Sequence, residues 1–209
     1  MKTCFTYAIL LISLLWVGNI FGVSDKAQAI LTCDSPSCER VAEKIEYQYK
    51  ESTNSITLKT DNFSIEVPDK PIRKIISSNK DLMILYTDDQ LLYVSESSGP
   101  GIEDISSEKP YRFPEILFTK TIKDTPAETG NEKLFWNIAL ASKPFYFQGA
   151  TEVTYTKNND LTYYLSNTHE LGFSARSMVA NSQFKQLFLV IEAKQMDLST
   201  FKQVVYSVK

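Results

Sequence analysis

A single histidine limits the chemistry open to this chain of 209 residues. His169 sits in Asn167-Thr168-His169-Glu170, a polar link between apolar alternations, and is expected in a solvated loop. A serine or cysteine nucleophile needs a histidine brought beside it to take its proton. The sequence has no Gly-x-Ser-x-Gly elbow to present a serine, and no His-Glu-x-x-His pair, glycine-rich phosphate loop or EF-hand pattern. Carboxylate pairs are the remaining catalytic option, since two acids can flank a bond. Asp88-Asp89, Glu103-Asp104 and Asp160 all fall in expected turns or links, where aspartate side chains bond to nearby backbone amides. No catalytic, cofactor-binding or metal-ligating residue is expected.

Tyrosines offer more than the acids do. Tyr47, Tyr49, Tyr155, Tyr163 and Tyr164 lie in expected strands, and Phe145-Tyr146-Phe147 precedes one of them. On a sheet face they are candidates for a partner-binding patch, because Tyr recurs at interface hot spots. The plainer reading is that Tyr suits strands, with its ring packed and its hydroxyl reaching water. Trp136 is expected in the core.

Cysteine usage and the start of the chain speak of compartment. After Lys2, residues 8–17 are apolar except for Ser13, and Ala27-Gln28-Ala29 offers small residues for cleavage before Ile30. This is the pattern of a secretory signal peptide over residues 1–29. An uncleaved anchor and a lipoprotein are the competing readings. Cys33 and Cys38 then remain as an even pair, with Pro36 turning the chain between them, and are expected to form a disulfide in an oxidising compartment. The expected location is periplasmic or secreted. The one remaining cysteine, Cys4, would leave with the signal peptide, and two cysteines with one histidine cannot build a structural zinc site.

About 180 residues follow Ala29, enough for one domain with a real core. Residues 30–44 are read as a leader carrying the cysteine loop, and residues 45–209 as a single α+β domain. Removing Lys2, Asp25 and Lys26 moves the net charge from −3 to −4. With no cluster of Lys and Arg, nucleic acid and anionic membrane surfaces are excluded as partners, unless the N-terminal segment stays in the membrane.

The elements follow from periodicity. Period-two alternation runs over 45–49, then through Ile56 and Leu58, and again through Phe63, Ile65 and Val67, stopping at Pro68 and Pro71. Residues 82–86 and 91–94 flank Thr87-Asp88-Asp89-Gln90 and form a hairpin. From Gly101 to Pro144 the pattern turns helical: Pro114 suits a first turn, and Leu134, Phe135, Ile138 and Ala141 share one helix side before Pro144. Val153 and Tyr155, then Leu161, Tyr163 and Leu165, then Leu171, Phe173 and Ala175 return to strands. Leu187-Phe188-Leu189-Val190-Ile191 is a strand covered on both faces, and Asp197 caps a helix carrying Leu198, Phe201, Val204, Val205 and Val208. The sum is an α+β fold, an antiparallel sheet with helices packed on one face and a C-terminal helix.

That C-terminal stretch, from Leu187 through Ala193 and from Asp197 to the Tyr206-Ser207-Val208-Lys209 tail, resembles the PsbP-like fold group, as does Phe63-Ser64-Ile65-Glu66-Val67-Pro68. The resemblance implies an accessory or assembly role through binding larger partners, without catalysis. Three functions are therefore expected in turn: a non-catalytic accessory or adaptor protein of a bacterial envelope that binds a protein partner; a periplasmic immunity protein against a secreted toxin; and a carboxylate-dependent envelope hydrolase.

Overall fold

A computed structural model describes residues 33, 35–49, 54–99, 110–126, 130–167 and 172–209. The expected signal peptide over residues 1–29, His169 and Glu103-Asp104 lie outside them. From Cys33 to Lys209 the chain forms one compact unit around an eight-stranded sheet. Its spatial order is β1 (Glu43–Lys44), β7 (Glu152–Asn158), β8 (Leu161–Asn167), β9 (Ala175–Asn181), β10 (Phe188–Lys194), β6 (Leu91–Ser97), β5 (Asp81–Tyr86) and β4 (Ile72–Ser77). All neighbours are antiparallel except β1, which runs parallel to β7. β2 (Ser55–Lys59) and β3 (Ser64–Pro68) make a separate hairpin.

β10 holds the two halves of the sheet together. It pairs with β9 on one side and β6 on the other, joining the 4-5-6 meander to the 7-8-9 meander. Both faces of the strand are covered. Leu189, Ile191 and Ala193 enter one core, while Phe188 stacks on Phe113 in another, with ring centroids 5.8 Å apart. Burying each such aliphatic side chain contributes about 1.5–3 kcal/mol, which is why this run is apolar without alternation.

The α+β class, the antiparallel sheet and the closing helix are present. The helices, however, divide between the two faces. Helices α1 (Arg112–Thr119), α2 (Asn131–Ala141) and α3 (Lys143–Phe147) pack with Val153, Tyr164, Met178 and Phe188. Helix α4 (Leu198–Tyr206) lies on the opposite face with the β2–β3 hairpin, against Tyr163, Leu165, Val179 and Leu189. Strand alternation forces this result: Tyr163 and Tyr164 are adjacent and both buried, so the sheet needs a cover on each side. Asp197 caps α4 as expected, accepting the Thr200 N–H at 2.8 Å.

Local differences from the expected elements have physical causes. Residues 45–49 are not a strand. The ladder ends at Lys44, and only Ile45 N–H continues it, to the Tyr155 carbonyl at 2.9 Å. Tyr47 and Tyr49 still alternate because both pack on the α4-side core. β4 was not expected, because a bulge between Ile72 and Lys74 breaks its period of two. β9 starts at Ala175, where a strand was expected to finish. It carries Arg176 and Ser177 fully buried, two residues that disguise a core strand in the sequence.

Arg176 is held by an unusual surround that leaves its buried Nη2 without a hydrogen-bond partner. Its Nε lies 3.0 Å from Glu192 Oε1, Nη1 donates to the Phe145 carbonyl at 2.6 Å, and the Phe145 ring covers the guanidinium at 4.0 Å. Burial pushes the Glu192 carboxyl up, and the Arg176 charge only partly offsets that.

Residues 33–44 are tied into the fold. Cys33 and Cys38 are disulfide-bonded, with Cα atoms 5.7 Å apart. The fully buried Lys143 ammonium donates to the carbonyls of Cys38 (3.2 Å) and Arg40 (2.6 Å), and the Arg40 guanidinium donates to the Ala150 carbonyl. None of the helices among the described residues is long and apolar enough to cross a membrane.

Candidate functional site

Two surfaces stand out, a tyrosine-floored groove and a bare sheet edge. The groove forms where four chain segments meet at one end of the sheet. The tight β7–β8 turn supplies Asn158, Asn159 and Asp160, and Asn159 takes a φ of 52°, a left-handed conformation that asparagine tolerates. Leu161 and Tyr163 follow on the α4-side face of β8, and Asn181 closes β9 beside Leu161. Tyr47 and Tyr49 come from the connector, and Val208 with Lys209 from the tail beyond α4. The tail is fixed by a reciprocal backbone pair between Lys209 and Ser64, each N–H donating at 3.0 Å. Together these residues line an open groove of about 460 Å³.

The floor is aromatic and its hydroxyls are occupied. Tyr47 and Tyr163 rings lie 5.4 Å apart, and Tyr206 meets both from beneath. The Tyr47 hydroxyl donates to the Tyr206 carbonyl at 2.8 Å, and the Tyr163 hydroxyl to the Val208 carbonyl at 3.0 Å. Tyr49 donates to Glu66 Oε2 at 2.7 Å, and this hydrogen bond, with Ser55 and Lys209, holds the Glu66 carboxyl below its ordinary range against desolvation. Burial drives the Tyr163 phenol far above its usual pKa and Tyr206 up to about 12. Tyr163 and Tyr206 therefore stay neutral at physiological pH, and with both of them buried it is the half-buried Tyr47 and Tyr49 that present ring surface to the opening.

Of the five sequence-selected tyrosines, the fold brings Tyr47, Tyr49 and Tyr163 together here. Tyr155 and Tyr164 face the other way, stacked on each other at 6.1 Å, with Tyr164 against Phe118. Sequence reasoning missed the polar rim of Asn158, Asn159, Asn181 and Lys209, because each residue alone looks like ordinary turn composition.

The second surface is the β4 edge. At the opposite margin, β1 is two residues long and charged, a usual way of blunting an edge. β4 is six residues long and terminates the sheet. Its first half is guarded by the bulge and by Arg73 and Lys74. The second half carries Ile75 and Ile76 at 53% and 45% exposure. In register, Ile75 sits beside Ile84 and Ile76 beside Met83, so the two point to opposite faces. Sequence reasoning missed this strand; the consecutive isoleucines beyond Arg73-Lys74 are the signal that could have found it.

The acids considered for catalysis that fall among the described residues are dispersed. Asp88 and Asp89 cap the β5–β6 turn and pair with Lys70 (3.6 Å) and Arg73 (2.9 Å), while Asp160 accepts from Ser182 at 3.0 Å. Among the described residues, no three His, Cys, Asp or Glu side chains gather as metal ligands would. No protein-family model, characterised protein or solved structure shows significant similarity to this chain.

Proposed function

We propose that this chain is an exported accessory or adaptor protein of a bacterial envelope, and that it works by binding an extended segment of a partner protein along β4. The observation that carries the reading is the asymmetry of the two sheet margins. One is short and charged; the other presents a row of backbone donors and acceptors flanked by exposed isoleucines. Such an edge is a template for strand addition, where main-chain hydrogen bonds give affinity and alternate side chains give selectivity. An incoming strand would extend the sheet beside Ile75 and Ile76 and cover both. The Cys33–Cys38 bond fits an oxidising compartment, and the likeness of the C-terminal strand and helix to PsbP-like domains supports an accessory role.

Affinity capture from crosslinked envelope, comparing the wild type with Ile76→Lys, tests this proposal. A lysine there guards the edge as natural sheets do, without touching the core. The expected result is one or a few envelope proteins recovered with the wild type and lost with the variant. Equal recovery with both would remove β4 from the function.

A further inference from the structure

The tyrosine groove lies outside the β4 edge, and its chemistry is of another kind. We infer that it is a binding site for a neutral oligosaccharide. Sugar rings present C–H groups on one face and hydroxyls around the rim, so they need an aromatic platform ringed by paired donors and acceptors. The groove has that division. Tyr47 turns its hydroxyl inward to the Tyr206 carbonyl and, half-buried, leaves ring surface toward the opening; the buried Tyr163 ring, with its hydroxyl on the Val208 carbonyl, supports it from behind. The half-buried Tyr49 ring completes the platform. Around it stand Asn158 and Asn159, each carrying a donor and an acceptor on neighbouring atoms, the Asn181 amide, whose oxygen takes the Gln183 N–H at 2.8 Å and whose nitrogen remains to donate, and the Asp160 carboxylate.

Charge and backbone geometry separate a sugar from the other ligands that use aromatic residues. Asp160 and Lys209 are the charged side chains of the lining and have opposite sign, so neither an anion nor a cation is favoured. An extended peptide would look for an open ladder, but Asn158 is paired across to Leu161, and Leu161 to Asn181, within the sheet. What faces the ligand is side chain. A groove of about 460 Å³ falls in the size range of small-molecule sites and accommodates a short glycan segment. An open trough, not a closed cavity, suits a chain that continues beyond the bound rings.

The test is a two-dimensional amide NMR titration of the exported chain (residues 30–209) with chitotriose and with maltotriose, and with trialanine as the peptide comparison. The expected result is shifts at Asn158, Asn159, Asn181 and Tyr49 with at least one sugar and none there with trialanine. Tyr49→Ala should weaken that binding roughly tenfold, the scale of one lost aromatic contact, while Tyr49→Phe retains it. Because Tyr49 also braces Glu66, Asn158→Ala serves as a second variant, and it too should weaken binding without changing the melting temperature. The inference is overturned by absent sugar shifts, by shifts mapping elsewhere, by equal trialanine binding, or by wild-type affinity in both Tyr49→Ala and Asn158→Ala. Ile76→Lys should leave sugar binding intact, so failure of the groove and failure of the β4 edge are read separately.

Discussion

Lys143 gives the sharpest quantitative prediction. Its side chain is fully buried at the start of α3, under the Phe147 ring, with its ammonium held by the Cys38 and Arg40 carbonyls. Burial pulls its pKa from 10.5 down to about 8, against the opposing pull of the Glu39 and Asp124 carboxylates. Moving from 10.5 to about 8 corresponds to about 3 kcal/mol. Below pH 8 both folded and unfolded chains hold the proton, and the folded state bears the full cost of the buried charge. Between pH 8 and 10.5 the unfolded chain keeps a proton that the folded chain has released, so stability rises with pH. Above 10.5 both are neutral and the gain is complete. Lys143→Met removes this titration while keeping most of the volume. The variant also leaves two carbonyls without a donor, at about 1–3 kcal/mol each, so its stability at one pH decides nothing. The slope decides. Denaturant unfolding of wild type and Lys143→Met from pH 7 to 10.5 should show the difference moving by about 3 kcal/mol in favour of the wild type. A flat difference across that window would refute the buried, charged Lys143 described above.

Two further substitutions probe the sheet. Ile191→Asp puts an unpaired charge at the centre of β10, where the residue is fully buried, and should cost upwards of about 4 kcal/mol and abolish soluble folding, read by expression and circular dichroism. Glu192→Ala strands the buried Arg176 guanidinium without its carboxylate and should destabilise by about 3–5 kcal/mol in urea, whereas the paired Arg176→Met, Glu192→Leu replacement should recover most of that loss.

The sequence was most readable where burial is one-sided or complete and unbroken. The β2–β3 and β5–β6 hairpins, the amphipathic side of α2 and the capped α4 all obey simple periods. The apolar run of β10 announced a central strand, and the paired cysteines announced their bond. Polar residues with buried roles were opaque. Arg176 and Ser177 sit at the heart of β9 because partners at distant positions hold them: Glu192 and Phe145 for Arg176, and for Ser177 the Tyr164 carbonyl, which accepts from it at 2.7 Å. A bulge hid β4, since one extra residue reverses which side chains share a face. The groove was half legible. Its tyrosines stood out by type, but which of them converge depends on strand parity and on where the tail packs after α4. Its asparagines carry no signal until the β7–β8 turn and the end of β9 are set side by side.

The central claim is that β4 is a docking edge, and site-specific photocrosslinking tests it most directly. A photoreactive residue is placed at Ile76, and for comparison at Leu134 on α2, which is exposed to a similar degree at 37%. After irradiation in living cells, position 76 should yield one discrete crosslinked protein, with the attachment mapping to an extended apolar segment, and position 134 should yield none of it. Equal crosslinking from both positions, or none from position 76, would contradict the account.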